Sequence, residues 1–212
     1  MNLFLDTVSP IPKFSIIKNN KIKSIQILHK NSTKISDNIA QVFIKIQKKF
    51  ILNNKLDNLF VCTGPGSYTA LRLGIAFMYG ISISRKIPLM GISGLDLLKL
   101  AVPKEHHKKT LYLINSTNEQ NFFSNYSSKN NKYLLRKIIY DSKINFSNNK
   151  FNYCISNSKL DSFIIKSFSL KKYKIVSFNE IVKLNIDKIL LMKKNINIQP
   201  IYIQDKDNKI FC

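Results

Sequence analysis

Short apolar runs and one long amphipathic repeat open the chain. The first three runs are separated by Pro10, Pro12 and the Asn19-Asn20 pair, which predicts a strand followed by a β-hairpin. Downstream, apolar residues recur with a 3.6-residue period over Ile35–Phe50, and this pattern predicts an amphipathic helix with Ser36 as its N-cap. The three strands are predicted over Asn2–Asp6, Lys13–Lys18 and Lys21–Leu28.

Strand and helix patterns alternate after this helix. The apolar run Leu56–Thr63 is typical of a buried strand, and it ends at a glycine turn. A helix, a strand and a short helix follow, over Ser67–Arg85, Ile87–Ile92 and Gly94–Ala101. This order predicts an α/β fold whose sheet begins antiparallel and continues through parallel crossovers.

A polar, basic segment divides the chain. Pro103–Lys109 has the composition of a linker, so we expect one unit over residues 1–102 and a second over residues 103–212. The second unit is richer in Asn, Lys and Ser, and its pattern is weaker. Its predicted strands are Lys109–Ser116, Asn121–Ser127, Lys132–Tyr140 and Phe151–Ser156, and its predicted helix is Asn179–Lys194.

The net charge of the chain suggests a class of binding partner but does not establish one. The chain has 34 Lys and Arg against 12 Asp and Glu, a formal charge of +22, which is typical of proteins that bind nucleic acid or anionic membranes. Only Arg72, Arg85 and Arg136 are arginines, and the abundant Lys, Asn and Ile all have A/T-rich codons. Genome base bias is a sufficient explanation for a solvated lysine surface, and direct RNA binding by this surface stays an alternative.

The remaining composition excludes several classes of protein. The three cysteines, Cys62, Cys154 and Cys212, form no C-x-x-C pair, so neither a disulfide framework nor a thiolate metal site is encoded. The amino terminus lacks the features of a signal peptide. The uncharged segment Leu73–Ser84 has 12 residues, well below the ~20 that span a bilayer. We therefore expect a cytoplasmic protein without a membrane partner or a bound metal.

The glycine turn is the first candidate for chemistry. All six glycines lie between Gly64 and Gly94. Within Gly64–Thr69, a strand meets a tight turn and a helix N-terminus, an arrangement that presents backbone N–H groups to an anion. No nucleotide or nucleophile motif fits, so no catalytic residue is assigned. The weak anion or nucleotide contacts are Gly64, Gly66, Ser67 and Thr69; the alternative is a plain turn with Ser67 as helix N-cap.

Asp6 is a further weak candidate for this site. It ends the first predicted strand beside Thr7, where a carboxylate can face a cleft. A single acidic residue without a second carboxylate nearby is weak evidence for a general base or for a metal site. Capping of the following turn is the competing interpretation.

Small residues form stripes on the second predicted helix. Ala70 and Gly74 are four residues apart, as are Ala76 and Gly80, and such spacing lets another helix approach closely. The stripes favour helix packing, either inside the domain or against a partner subunit with Phe77 beside them.

Two segments of the chain resemble a known family. Val61–Gly74 reads V-C-T-G-P-G-S-Y-T-A-L-R-L-G and is followed by Ile87–Asp96, I-P-L-M-G-I-S-G-L-D. These resemble the signature of the TsaB (YeaZ) family of bacterial tRNA threonylcarbamoyladenosine biosynthesis proteins, G-P-G-S-[FY]-T-G-x-R-x-G and I-P-x-x-G-[VI]-S-S-L. Asp6-Thr7 and Pro200–Ile203 resemble its other landmarks.

The resemblance implies a fold and a role. The fold is the actin-like, sugar-kinase and Hsp70 (ASKHA) type, with a first lobe over residues 1–102 and a reduced second lobe over 103–212. The role is that of a non-catalytic scaffold that binds and activates a TsaD-like enzyme. With a TsaE-like ATPase, that assembly transfers a threonylcarbamoyl group to N6 of adenosine 37 in ANN-decoding tRNAs. ATP and metal then belong to the partner complex, and a homodimer of the isolated chain stays open.

Helices of the first lobe form the heterodimer interface in that family. The second lobe departs from it, because Asn115–Phe122 lacks the Asp and the Arg that relatives carry there and has no Glu at the motif position. In the first lobe, Ala70 replaces a usual glycine. Function is therefore expected in the first lobe. The alternative is an autonomous actin-like ATPase or kinase that uses Asp6 and the glycine turn. The candidate interface residues are Ile39, Phe43, Ala70, Gly74, Phe77 and Gly80.

Overall fold

Two five-stranded sheets organise the protein. The computed structural model describes residues 1–28, 34–51, 55–117, 120–138, 151–192 and 198–203. The first sheet consists of β1 (Asn2–Asp6), β2 (Lys13–Lys18), β3 (Lys21–Gln26), β4 (Asn58–Cys62) and β5 (Leu89–Ile92). Its order is β3-β2-β1-β4-β5, with β1 antiparallel to β2 and parallel to β4, and β4 parallel to β5. The predicted mixed sheet is confirmed.

Both faces of this sheet are buried. The helices α1 (Ile35–Ile46) and α2 (Tyr68–Arg85) cover one face, where they pack on Leu3 and Leu5. The opposite face carries Phe4 and packs against α3 (Gly94–Leu100). Because side chains alternate along a strand, one apolar run supplies two cores.

The first helix differs from its prediction at both ends. Lys34 occupies the N-cap position without a side-chain hydrogen bond, whereas Ser36 lies inside the first turn, where its hydroxyl donates to the Asp37 carboxylate (2.9 Å). Ser36 is therefore not the N-cap. After Ile46 the chain continues as a π-turn over Gln47–Ile51, so the periodic pattern crosses a change of helix type.

The helix α2 has 18 residues. It ends at Lys86, which adopts the left-handed conformation (φ 53°) before the chain enters β5. Neither α2 nor any other helix in the described ranges is long and apolar enough to cross a bilayer.

The second sheet has the order β10-β9-β6-β7-β8. The predicted linker before it is a 3₁₀ helix over Lys104–Lys109. A helix that the sequence pattern did not predict, α4 (Ser162–Ser167), packs its Ile164 on Leu111 and Leu113. The strands are β6 (Thr110–Asn115), β7 (Asn121–Ser127), β8 (Lys132–Lys137), β9 (Tyr153–Ser156) and β10 (Lys174–Ile175).

The chain then returns to the first sheet. The helix predicted over Asn179–Lys194 is two helices, α5 (Phe178–Leu184) and α6 (Ile186–Leu190), and its last two residues lie outside the described ranges. Phe178 joins the core that contains Phe4 and Tyr112, so this core is shared by both sheets. The strands of the first sheet thus precede residue 103 and those of the second follow it, whereas α5 and α6 pack in the core that both sheets share.

Candidate functional site

The end of β1 faces the junction of the two sheets. Asp6 is fully buried there, and its Oδ1 accepts hydrogen bonds from the backbone N–H groups of Val8 (2.9 Å) and Ser9 (3.0 Å). Burial raises the pKa of the Asp6 carboxyl above its ordinary value of 3.8, against the lowering by these bonds and by the charge of Lys13. The carboxylate thus caps the turn that follows β1, the competing interpretation of the sequence.

The glycine turn lies next to this capped turn. Gly64 has a φ of +111°, which only glycine adopts without strain, and the Gly64-Pro65 peptide is cis. The Gly64 carbonyl accepts the N–H of Gly94 (2.7 Å), which ties the turn to the start of α3. Ser67 stands at the N-cap position of α2 but makes no side-chain capping hydrogen bond. Ser67 is therefore the N-cap residue, as predicted, and it caps through its carbonyl, which accepts the N–H of Leu71 (2.9 Å).

A serine that follows the second sheet's β6 contacts the glycine turn. The N–H of Ser67 donates to the hydroxyl of Ser116 (3.3 Å), and a Cβ on Gly66 would lie 2.9 Å from the same oxygen. The absence of a side chain at Gly66 thus lets Ser116 reach the helix N-terminus. Thr69 lies on the exposed side of the first turn of α2 and takes no part in this contact.

Further hydrogen bonds join the same two turns. The N–H of Thr117 donates to the Val8 carbonyl (3.0 Å). The Asn157 amide donates to the Ser9 hydroxyl (3.1 Å) and to the Asn115 carbonyl (2.9 Å), and it accepts the Asn115 N–H (2.8 Å). Asp6 Oδ2 and Thr117 Oγ1 are buried without a partner in the described structure. The turns after β1 and β4 are thus hydrogen-bonded directly to the second lobe.

Metal ligands do not converge at this junction. No group of three His, Cys, Asp or Glu residues within the described ranges is arranged to hold a metal ion. Cys62, in β4, is fully buried, and burial raises the pKa of its thiol well above the usual range, so it is a protonated core side chain.

The inner face of α2 packs on β1. Ala70 and Gly74 are buried, and a Cβ on Gly74 would lie 2.8 Å from both Oγ1 and Cγ2 of Thr7. The Ala70–Gly74 stripe thus serves packing inside the domain, the first of the two alternatives that the sequence left open.

Between Arg72 and Arg85, the outer face of α2 is uncharged and exposed. Ala76 and Gly80 face solvent, a Cβ on Gly80 would meet nothing within 4 Å, and Ile83 is 74% exposed. The charged residues nearest along the helix are Arg72 and Arg85. A helix that is apolar around its whole circumference is typically covered on every side.

The helix α1 lies beside this face. Ile39 and Phe43 are buried between α1 and the sheet, so they belong to the core. The Phe43 and Phe77 rings meet edge to face with centroids 5.5 Å apart, and Phe77 remains half-buried. Ile44 of α1 is 50% exposed. We define the outer helical face as Ile44, Ala76, Phe77, Gly80 and Ile83.

Comparison with known proteins identifies the family. The family model described as TsaD: tRNA N6-adenosine threonylcarbamoyltransferase matches residues 26–160, about two thirds of the chain. The chain belongs to this family, as one of its TsaB/YeaZ members. The Buchnera aphidicola (Schizaphis graminum) protein named tRNA threonylcarbamoyladenosine biosynthesis protein TsaB is 30% identical over 89 residues, which cover 39% of this chain and 42% of that protein.

Other relatives extend over the whole chain. A Mycoplasma genitalium protein named "Uncharacterized protein MG208" is 25% identical over 211 residues, covering 97% of this chain and 96% of that protein. The solved structure titled YeaZ from Pseudomonas aeruginosa superposes with a TM-score of 0.59 at 11% identity, covering 95% of this chain and 99% of that chain. The TsaB/YeaZ member thus has the actin-like, two-lobe α/β fold that the signature implied.

Sequence reasoning missed the groups that the second lobe brings to the junction. Ser116 and Asn157 are unremarkable in the sequence, and only the pairing of β6 with β9 places them opposite the glycine turn. Tyr202, in a segment matched to a family landmark, stacks on Tyr68 with centroids 4.7 Å apart, and its hydroxyl accepts the Nε–H of Arg72 (3.2 Å). Four of the six candidate interface residues lie in the core, whereas Phe77 and Gly80 reach the outer helical face.

Proposed function

We propose that this TsaB/YeaZ member is a non-catalytic scaffold subunit in tRNA threonylcarbamoyladenosine biosynthesis, which binds and activates a TsaD-like enzyme through the outer helical face. A TsaE-like ATPase and tRNA then join through the complex. The observation that carries the proposal is the uncharged part of the outer side of α2 between Arg72 and Arg85, where Ile83 is 74% exposed and a Cβ on Gly80 would meet nothing within 4 Å.

Three physical features support a helical partner at this face. Gly80 and Ala76 let a second helix approach α2 closely, because small residues remove the side chains that would separate the two backbones. Ile44, Phe77 and Ile83 supply apolar surface that is removed from water when a partner covers it. The edge-to-face contact of the Phe43 and Phe77 rings fixes α1 against α2, so the face is ordered before association.

The closed junction weighs against an autonomous ATPase or kinase. Ser116 already accepts the Ser67 N–H, and Thr117 is bonded to the turn after β1. A phosphate that bound the Ser67 N–H would have to displace Ser116. The Oδ1 atom of Asp6 accepts two backbone N–H groups, so this oxygen already caps the turn that follows β1.

Enzyme assays on the reconstituted system test the proposal. We expect the TsaD-like enzyme of the same organism, with the ATPase, ATP and tRNA, to modify adenosine 37 only when this chain is added. Gly80→Leu should abolish that stimulation, and Ser162→Leu, which adds the same side chain at an exposed position of α4, should not. Equal stimulation by the two variants would refute this interface, and Mg²⁺-dependent ATP turnover by the chain alone would favour the autonomous enzyme.

A further inference from the structure

A basic depression lies at the end of the first sheet that is farthest from the glycine turn. It is lined by Lys55 and Asp57, which precede β4, and by Arg85 and Lys86, where α2 ends before β5. Its volume is about 520 Å³. The depression is therefore large enough to admit a phosphate with its sugar.

Positive charge dominates this depression. Lys55, Arg85 and Lys86 are exposed, and none of the three forms an ion pair within the described ranges. Asp57 is the acid of the lining, and its carboxylate pairs with the amino group of Met1. The three cations are therefore free to meet an anion from outside the chain.

Further lysines lie at the same end of the first sheet. Lys21 follows the β2–β3 turn, which is level with the start of β1 and β4 because Asn2 pairs with both Ile17 and Asn58. Lys48 and Lys49 lie on the exposed side of the π-turn after α1. Parallel crossover connections bring the C-termini of both helices to this end of the sheet, so their lysines share one surface.

Lys86 occupies a backbone position that disfavours lysine. Its φ of 53° is left-handed, a conformation that glycine adopts freely and that strains residues with a Cβ. The neighbouring backbone bonds, Lys86 N–H to the Ile83 carbonyl (3.4 Å) and Ile87 N–H to the Ser82 carbonyl (3.1 Å), need no side chain. The lysine side chain at this position is thus not required for the turn itself.

We propose that this basic depression binds the phosphate backbone of an RNA. Three unpaired cations around a concave surface match a chain of phosphates, each of which accepts a charge-assisted hydrogen bond. Among the described residues, no large exposed apolar side chain lines the depression, whereas a membrane-binding surface typically adds such side chains to its charge. The choice of RNA over other polyanions rests on the proposed function; the site itself rests on the charges.

A salt titration with matched variants tests the proposal. The first variant replaces Lys55, Arg85 and Lys86 with glutamine, and the control replaces Lys171, Lys172 and Lys174, which are exposed on the second lobe, in the same way. Both lose three positive charges. Binding of a fluorescein-labelled tRNA transcript to the full chain is followed by anisotropy from 50 to 200 mM KCl, and binding to anionic vesicles is measured in parallel.

We expect the first variant to bind RNA about tenfold more weakly than the parent at 50 mM KCl. The magnitude of its slope of log K against log salt should fall by about 2 to 3, whereas that of the control should change by less than about 1. Lys86→Gly alone should weaken RNA binding although it relieves the left-handed lysine and raises the melting temperature. Equal losses in both triple variants, no RNA binding by the parent chain, or loss of vesicle binding without loss of RNA binding would each overturn the proposal. Association of the triple variant with the TsaD-like enzyme reports the proposed function separately, because the outer helical face is unchanged.

Discussion

Alanine should destabilise the protein at Gly74 of α2, whereas it should stabilise the protein at Gly80 of the same helix. Gly74→Ala and Gly80→Ala each remove a glycine from the helix interior, a change worth about 0.5–1 kcal/mol in favour of folding. At Gly80 the new methyl meets nothing within 4 Å, so this gain should appear undiminished. At Gly74 it would lie 2.8 Å from two side-chain atoms of Thr7, which is fully buried.

The magnitude at Gly74 follows from this overlap. Carbon atoms pack best at about 3.5–4.0 Å, and forcing an extra methyl into a packed core typically costs about 1–3 kcal/mol. After the helix gain is subtracted, Gly74→Ala should destabilise the protein by up to about 2 kcal/mol. The two variants should therefore differ by about 1–3 kcal/mol in the free energy of unfolding.

Urea unfolding followed by circular dichroism measures this difference, provided that the slopes with urea agree among variants. Thr7→Ala supplies the control background: it removes both overlapping atoms and leaves Cβ at 3.4 Å, and Thr7 Oγ1 has no hydrogen-bond partner in the described structure to lose. In that background Gly74→Ala should become neutral or stabilising. Equal effects of the two alanines, or an unchanged cost of Gly74→Ala in Thr7→Ala, would refute the packing of α2 on β1.

Three other outcomes follow from the buried groups. Burial raises the pKa of Asp6 in the folded state, so the stability that this carboxyl contributes is fully present below its ordinary pKa of 3.8 and is lost as the pH rises through the folded-state pKa. Asp6→Asn should therefore gain stability relative to the parent as the pH rises from 3.8 through the folded-state pKa. A difference in urea midpoints that does not change with pH would contradict this. Gly66→Ala should destabilise by about 1–3 kcal/mol through its contact with Ser116, and Ser116→Gly should rescue it in the same unfolding assay. Burial raises the pKa of Cys154 to about 12, so peptide mass spectrometry should find it unlabelled by maleimide at pH 8 until the protein unfolds.

The first lobe was predictable because its signals are local. Apolar runs, proline breaks and the Asn19-Asn20 pair mark the strands of the hairpin to within two residues. The end of α1 was not predictable, because a π-turn continues the same apolar periodicity over Gln47–Ile51. The split between α5 and α6 at Asn185 was missed for a similar reason: apolar residues continue across it.

The candidate site was likewise predictable only where its residues are fixed by local sequence signals. The glycine turn and Asp6 are readable from sequence, since a strand end and a helix start within a few residues fix their neighbourhood. Ser116 and Asn157 were not readable, because they meet the turn only through long-range pairing of the second sheet. The small-residue stripes were recognised, but sequence could not tell that Gly74 faces Thr7 whereas Gly80 faces solvent.

Light scattering on size-exclusion chromatography tests the central claim most directly. The chain and the TsaD-like enzyme of the same organism are run alone and mixed, with parent chain, Gly80→Leu and Ser162→Leu in parallel. The account predicts a 1:1 heterodimer with the parent and with Ser162→Leu, and separate elution with Gly80→Leu, whose circular dichroism stays native because its new side chain points to solvent. A heterodimer that forms equally well with Gly80→Leu, or no heterodimer with the parent chain, would contradict it.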